Sequence, residues 1–162
     1  VTMAGTVSDA QLIIKLLRAE LRLKQIRTGR LPSVKETANL LGAVVYHNIR
    51  KFSTIPGITG FLLGGYDEDH GFQMYEIGVD GSLVLYDSYV ADGSGFMMAL
   101  GVLDTLYKKD IKVQDAVGLA VKSINAAMQR DTATGDGIDV LTITKEGVKK
   151  VMTQHVEMKL TI

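Results

Sequence analysis

The sequence contains no cysteine, which excludes disulfide bonds, thiolate metal sites and a cysteine nucleophile. It also lacks an excess of charge of either sign, because 18 basic and 18 acidic residues give a formal net charge of zero. A nucleic-acid-binding protein needs a basic face that displaces counterions, so this balance argues against that class. No apolar run approaches the roughly 18 residues that a membrane-spanning helix requires. These absences predict a protein that binds neither nucleic acid nor membrane.

The composition that remains is that of one folded domain. The 162 residues suffice for a substantial core, and 46% of them are hydrophobic while 22% are charged, close to globular averages. Residues 1–5 are apolar and strand-like, and an isolated strand end leaves backbone groups without partners. We therefore predict a single domain over residues 1–162 from which an upstream segment is missing. The alternative is a flexible tail on a complete small protein.

Two helices joined by a short turn are predicted in the N-terminal part. The first has apolar residues at three- and four-residue steps, begins after a cap at Thr6 or Ser8 and ends at 28–32. Its predicted inner face consists of Leu12, Leu16, Ala19 and Leu23, widened by Ile13, Leu17 and Ile26. The second helix begins with a capping box formed by Ser33 and Glu36. Its predicted inner face consists of Val34, Ala38, Leu41 and Val45.

The periodicity changes to that of strands in the middle of the chain. Residues 58–66 are typical of a buried strand, 67–71 of a turn and 72–77 of its hairpin partner. Further strands are predicted at 83–86, 137–144 and near 151–158, and further helices at 94–107 and 113–130. A helix pair, an antiparallel sheet, a second helix pair and further strands are typical of layered α+β packing.

Two acidic segments are candidate metal sites, and each has a plainer interpretation. Asp67, Asp69 and His70 offer oxygen and imidazole ligands, but a hairpin tip needs such residues simply to turn in water, and we favour the turn. Residues 131–139 carry three carboxylates, yet they lack the alternating positions and the closing glutamate of an EF-hand loop. Calcium binding of that type is therefore not expected. Two interpretations of this segment remain open: a plain link between a helix and a strand, or a site of a different kind.

The Gly-Ser-Gly sequence at 93–95 precedes a predicted helix. Exposed N–H groups there could hold an oxyanion or a phosphate, while a serine cap with two flexible flanks is the alternative. The sequence has neither a P-loop nor the Gly-x-Ser-x-Gly nucleophile elbow. Met97 and Met98 are more typical of helix packing than of a cofactor site. The residues by themselves thus indicate a fold class and two candidate loops, but no reaction.

Three segments, in this order, resemble the β subunits of the 20S proteasome, which are N-terminal-nucleophile hydrolases. They are Met-Ala-Gly-Thr-Val-Ser-Asp-Ala-Gln at 3–11, Gly-Ser-Gly at 93–95, and Arg-Asp-Thr-Ala-Thr-Gly-Asp-Gly-Ile-Asp at 130–139. Residues 63–67, followed by a hairpin, are similar to the family's sheet core. The similarity covers nearly the whole chain, and its last segment is specific. The family's α subunits differ around Gly5, and the dodecameric bacterial protease of the same superfamily matches the last segment less well.

The resemblance implies a four-layer αββα sandwich, an α+β fold that here lacks its first strands. It implies a cytoplasmic threonine endopeptidase without cofactor or metal, which assembles with other proteasome β subunits and with α-subunit rings. Its substrates would be unfolded polypeptides, and a regulatory ATPase would act through the α rings. The nucleophile would be an N-terminal threonine whose own amine, helped by a lysine and an aspartate, transfers protons. These three positions would precede Val1, so this chain by itself is expected to be inactive.

The resemblance also assigns the supporting residues of the site. Gly5 matches the residue whose backbone N–H forms the oxyanion hole, and Ser94 matches a serine near the amine of the nucleophile. Asp131 matches the aspartate that hydrogen-bonds both, and Thr134 stands where a third serine is usual. The pocket for the residue before the cleaved bond would be lined by Met3, Ala4, Val7 and Gln11. Its apolar lining implies a preference for large hydrophobic residues.

Two departures from the family pattern support an alternative. Asp92 stands where an uncharged residue is more usual, and Phe96 stands where a small one is. They indicate a non-catalytic β-type ring subunit that keeps the fold and loses the activity. A third and less favoured interpretation, a small-molecule-binding α+β domain, predicts a monomer with a closed pocket. Helices with apolar residues on more than one side favour the ring subunit, because neighbours in a ring would bury the second face.

Overall fold

The computed structural model describes residues 1–155, which form four helices and six strands in two compact units. The first unit, Val1–Asp87, contains β1 (Thr2–Gly5), α1 (Val7–Thr28), α2 (Val34–Arg50), β2 (Thr59–Asp67), β3 (Gly71–Ile77) and β4 (Leu83–Tyr86). The second unit begins at Ser88 and contains α3 (Phe96–Leu106), α4 (Val113–Met128), β5 (Gly137–Thr144) and β6 (Gly147–His155). Each unit combines a helix pair with an antiparallel sheet, which confirms the predicted α+β class. None of the helices within residues 1–155 combines the length and the apolar character needed to cross a membrane.

The core of the first unit lies between one face of its sheet and the two helices. The strands are antiparallel in the order β1-β2-β3-β4. Alternate residues of β2 and β3 point to the helices, as the two-residue period of a strand requires. The buried core residues of the unit are Ala10, Ile13, Leu17, Val34, Ala38, Leu41, Val45, Phe61, Leu63, Tyr75 and Ile77. α1 and α2 therefore pack against the sheet through a single layer of apolar side chains.

The start and the inner face of α2 are as predicted. The hydroxyl of Ser33 accepts a hydrogen bond from the backbone N–H of Glu36 at 3.1 Å. The carboxylate of Glu36 accepts one from the backbone N–H of Ser33 at 2.9 Å, which completes the capping box. The four residues of the predicted inner face, Val34, Ala38, Leu41 and Val45, are all buried.

The predicted inner face of α1 is right for Ile13 and Leu17, which are buried, and wrong for its other residues. The residues of this helix that are buried in the core are Ala10, Ile13 and Leu17. The residues predicted to lead that face, Leu12, Leu16, Ala19 and Leu23, are exposed, as is Ile26. Both sets step by three and four residues, so the apolar period alone cannot decide which set faces the sheet. Thr6 stands at the N-cap position, but its side chain makes no capping hydrogen bond.

The remaining elements lie close to their predicted positions. β4 and β5 have the predicted bounds. α3 begins two residues later and ends one residue earlier than predicted, and α4 ends two residues earlier. β6 begins earlier than predicted, at Gly147, and residues 156–158 of the predicted last strand lie outside the described residues. β5 and β6 pair antiparallel, and α4 packs against β5.

A charged network joins the end of α1 to the start of α2. The guanidinium of Arg30 donates to both carboxylate oxygens of Glu36, at 2.7 and 2.9 Å, and the Lys24 ammonium lies 3.0 Å from the same carboxylate. The hydrogen bonds from Arg30, from the backbone of Ser33 and from Lys24, in that order, hold the pKa of Glu36 far below its ordinary value of 4.5. Ionised Glu36 therefore favours the folded chain.

We expect Glu36→Gln to destabilise the protein at neutral pH but not in acid. Because the folded-state pKa is lowered, the stabilisation is present above the unfolded pKa and is lost as the pH falls through the folded one. The free energies of unfolding of wild type and variant should thus converge as the pH falls from about 7 to about 2, as measured by urea denaturation. The control is Glu146→Gln, because that carboxylate is 83% exposed and lies 3.9 Å from Lys149. A difference for Glu36→Gln that persists unchanged to about pH 2 would contradict the prediction.

Candidate active site

Ser94, Asp131 and Thr134 meet in the second unit. One carboxylate oxygen of Asp131, Oδ2, accepts hydrogen bonds from the hydroxyls of Ser94 and of Thr134, each at 2.5 Å. The other oxygen, Oδ1, accepts from the backbone N–H of Ala133 at 3.2 Å. Ser94 precedes Asp131 by 37 residues, so the fold and not local sequence creates the contact. We refer to Ser94, Asp131 and Thr134 as the Asp131 cluster.

Two helix ends position the Asp131 cluster. Asp131 lies just beyond α4, and its backbone N–H donates to the carbonyl of Ala127 at 2.8 Å. Ser94 lies just before α3, next to the buried cap residue Gly95. A Cβ atom on Gly95 would lie 2.6 Å from the hydroxyl of Thr134 and 2.7 Å from the Cβ of Ala127. Residue 95 must therefore be glycine for the two helix ends to approach, a requirement that sequence reasoning did not identify.

The charge state of Asp131 sets the direction of the hydrogen bonds. The hydrogen bond from Ser94, followed by that from Thr134, lowers the pKa of the Asp131 carboxyl, against a smaller opposing effect of partial burial. An ionised carboxylate only accepts, so both hydroxyl protons point towards it. Each hydroxyl oxygen then keeps its lone pairs for another donor. The cluster can accept hydrogen bonds from a cationic amine, or take part in moving its proton.

Gly5 ends β1 in the first unit, opposite Thr59. Its φ of +114° is one that other residues rarely adopt, and a Cβ atom there would overlap the carbonyl oxygen of Ile58. The structure therefore gives a reason for this glycine within the protein's own backbone. Its assignment to the oxyanion hole stays a prediction.

The predicted pocket residues lie together on the connection between β1 and α1. Met3 and Ala4 belong to the strand, whereas Val7 and Gln11 are one helical turn apart at the start of α1. Met3, Val7 and Gln11 are exposed and Ala4 is half-buried. This short stretch thus presents apolar side chains that are free to contact another molecule.

The acidic residues of the first candidate metal site form the turn between β2 and β3. The ligand atoms of Asp67, Asp69 and His70 lie within 4.8 Å of one another. However, one oxygen of Asp67 accepts from the backbone N–H of His70 at 2.8 Å, and the other accepts from the backbone N–H of Val34 at 3.0 Å. Asp67 therefore closes the turn and caps α2, a contact across 33 residues that the sequence did not reveal.

The acidic residues of 131–139 serve different partners. Asp131 belongs to the cluster described above, whereas Asp139 on β5 lies 2.7 Å from the ammonium of Lys150 and accepts from the hydroxyl of Thr153 at 2.8 Å. Both partners of Asp139 are on β6, so this carboxylate joins the two strands of the hairpin. The segment is both a link into a strand and part of a polar site.

The α+β fold, with a serine and an aspartate meeting where one helix begins and another ends, is consistent with an N-terminal-nucleophile hydrolase. Within that class the family is clear from comparison with known proteins. A family model described as "Proteasome subunit" matches residues 1–143, so the chain belongs to the proteasome subunit family. Proteasome β subunits are generally peptidases.

The chain is similar to archaeal proteasome subunits named "Proteasome subunit beta". It is 37% identical to the subunit of Methanopyrus kandleri over an alignment of 162 residues, and this alignment covers 99% of this chain and 75% of the relative. It is 39% identical over 156 residues to that of Methanocaldococcus fervens, covering 96% and 68% of the two chains. It is 40% identical over 156 residues to that of Ferroglobus placidus, covering 96% and 72%. The predicted resemblance to 20S proteasome β subunits is confirmed.

Proposed function

We propose that this chain supplies the supporting half of a threonine endopeptidase site, as one proteasome β-type domain of a protein that also carries the nucleophile. The observation that supports this proposal is the Asp131 cluster, in which two hydroxyls donate to one carboxylate and keep lone pairs for an amine. In such a site the amine is the α-amino group of an N-terminal threonine. In the proposed protein, that threonine and its lysine and aspartate partners lie outside residues 1–162.

Each residue of the site then has a defined part in peptide hydrolysis. The neutral α-amine takes the proton of the threonine hydroxyl, which attacks the substrate carbonyl. Ser94 and Asp131 hold the resulting ammonium and orient it to return the proton to the leaving amine. The backbone N–H of Gly5 stabilises the negative charge that develops on the carbonyl oxygen. Met3, Ala4, Val7 and Gln11 contact the side chain before the cleaved bond.

The proposal includes assembly with other β subunits and with α-subunit rings in the cytoplasm. The exposed apolar side chains of α1, Leu12, Leu16, Leu23 and Ile26, support it, because large apolar patches on a protein surface commonly mark contacts with other proteins. Unfolded polypeptides are the proposed substrates, delivered with a regulatory ATPase at the α rings. The alternative is a non-catalytic ring subunit, favoured by Asp92 and by Phe96, an exposed residue two positions after Ser94.

A panel of peptide substrates tests the proposed activity and specificity. We expect the assembled protein to cleave after Leu, Tyr or Phe at least about tenfold faster than after Glu or Arg, measured as kcat/KM. The reason is that Met3, Ala4 and Val7 provide no partner for a charged side chain, whose desolvation opposes binding. Fastest cleavage after Arg would contradict this pocket assignment. A fully assembled particle without hydrolysis of any peptide would favour the non-catalytic subunit.

A further inference from the structure

Three Asp-Gly pairs occur in the sequence, at 80–81, 92–93 and 136–137. Such a pair can rearrange without an enzyme, because the backbone nitrogen of the glycine can attack the carboxyl carbon of the aspartate. Glycine has no side chain to hinder that approach. The aspartate is exposed in each pair, so water has access to all three. Their local chemistry is the same, and the fold therefore decides which of them reacts.

The pair at 92–93 has its two reacting groups in contact. Residues 91–95 form neither helix nor strand. The backbone N–H of Gly93 donates to Oδ1 of Asp92 at 2.7 Å, so the nitrogen lies next to the carboxyl carbon that carries this oxygen. Gly93 has a φ of +107°, which glycine adopts freely and other residues rarely adopt. Groups held together in this way react faster than groups that must first meet.

The pair at 80–81 has the same two groups bound to other partners. The carboxylate of Asp80 accepts a hydrogen bond from the backbone N–H of Ser82 at 2.9 Å. The backbone N–H of Gly81 donates instead to the carbonyl of Gly78 at 2.8 Å. Attack on the Asp80 carboxyl group would therefore first break two hydrogen bonds of this turn.

The pair at 136–137 is restrained by a sheet. Gly137 is the first residue of β5 and lies opposite His155 of β6. Ring closure requires rotation of the backbone around the aspartate and the glycine, and the pairing of the two strands restricts that rotation. The fold thus opposes the reaction at two of the three pairs and favours it at 92–93.

We propose that Asp92 is a site of spontaneous modification, at which a succinimide forms with Gly93 and opens to isoaspartate. The Gly93 nitrogen gives up its proton and bonds to the carboxyl carbon, while the carboxyl group loses its hydroxyl, so that water leaves. A second water molecule then opens the imide ring. Cleavage at the former carboxyl carbon restores aspartate, whereas cleavage at the former backbone carbonyl gives isoaspartate of unchanged mass. Isoaspartate lengthens the main chain by one atom, two residues before Ser94.

Peptide mapping of the aged full chain tests this proposal. The folded protein is kept at neutral pH for several weeks, and isoaspartate at each pair is quantified by mass spectrometry with electron-transfer fragmentation. We expect at least about tenfold more isoaspartate at residue 92 than at residue 80 or 136. In urea the three sites should agree within about threefold, because unfolding removes the contacts that distinguish them. The measurement requires no peptidase activity, so its outcome is independent of the proposed function.

Two variants identify the source of the isoaspartate. Asp92→Ser should remove most of it from the aged folded protein, as measured by labelling with an isoaspartate methyltransferase, and the matched control Asp80→Ser should remove little. Equal amounts at residues 80 and 92 in the folded wild type would overturn the proposal. A tenfold excess at residue 92 that persists in urea would also overturn it, because the sequence and not the contact with Gly93 would then select the site.

Discussion

We expect Asp131→Asn to lower the proposed peptidase turnover of the assembled protein at least about a hundredfold, which is the largest loss of activity expected from the described residues. Asparagine has nearly the same shape as aspartate but no charge, and it presents an amide N–H₂ donor at one of the two oxygen positions. In one orientation the amide nitrogen cannot accept from the hydroxyls of Ser94 and Thr134, and in the other it cannot accept from the backbone N–H of Ala133. In both orientations the cluster loses its charge and at least one accepted hydrogen bond, and with them the proposed proton transfer. Stability should change little, because the cluster is only partly buried.

Asp139→Asn is the matched control for this experiment. Its carboxylate is also hydrogen-bonded to a threonine hydroxyl and also follows α4, but it belongs to the β5–β6 hairpin. We expect kcat within about twofold of wild type for this variant. Unfolding in urea should be recorded for both variants, so that a loss of activity is not confused with a loss of fold. Full activity in Asp131→Asn would show that the carboxylate has no part in catalysis.

The largest loss of stability is expected for Gly5→Ala. The new Cβ atom would overlap the carbonyl of Ile58 in a backbone conformation, φ +114°, that alanine rarely adopts. Strain of this kind and the overlap together should lower the free energy of unfolding by about 3 kcal/mol or more. The control is Gly29→Ala, because Gly29 also has a positive φ, +70°, but no atom lies within 4 Å of its added Cβ. That variant should lose only about 1 kcal/mol in urea denaturation.

This result would also change how substitutions of Gly5 are interpreted. If Gly5 is the oxyanion donor, a Gly5→Val variant should lose hydrolysis because the side chain blocks the approach of the substrate carbonyl, with assembly nearly intact. The position of Ile58 means that any side chain at residue 5 distorts the junction of β1 and α1 first. Loss of activity in such a variant would not identify the oxyanion donor. Equal stability of Gly5→Ala and Gly29→Ala would contradict this view.

The features that sequence predicted well depend on neighbours in the chain. The Ser33–Glu36 capping box spans three residues, and β4 is bounded by a tight turn at 78–82, so both are set by local interactions. The buried face of α1 was predicted only in part, because two apolar faces share one helical period and only the sheet selects between them.

Contacts between distant residues could not be derived from composition or spacing. The cap that Asp67 provides to α2 and the bond between Ser94 and Asp131 span 33 and 37 residues. The second was anticipated through the family resemblance, which carries information on pairs that a single sequence does not contain. Nothing in the local pattern indicated that Tyr89 would donate a hydrogen bond to Asp104 or that residue 95 has no room for a side chain.

The lack of space at residue 95 restricts how this protein can change by mutation. A side chain at residue 95 would clash with Ala127 on one side and with Thr134 on another, so a larger residue there requires both neighbours to change or move at the same time. Ala127→Gly alone would free one side, at a cost of about 1 kcal/mol in helix propensity, and would leave the clash with Thr134 in place. No single compensating substitution therefore makes room for a residue other than glycine at position 95. Sequences that diverge from this one step by step should change around Gly95 long before they change Gly95 itself.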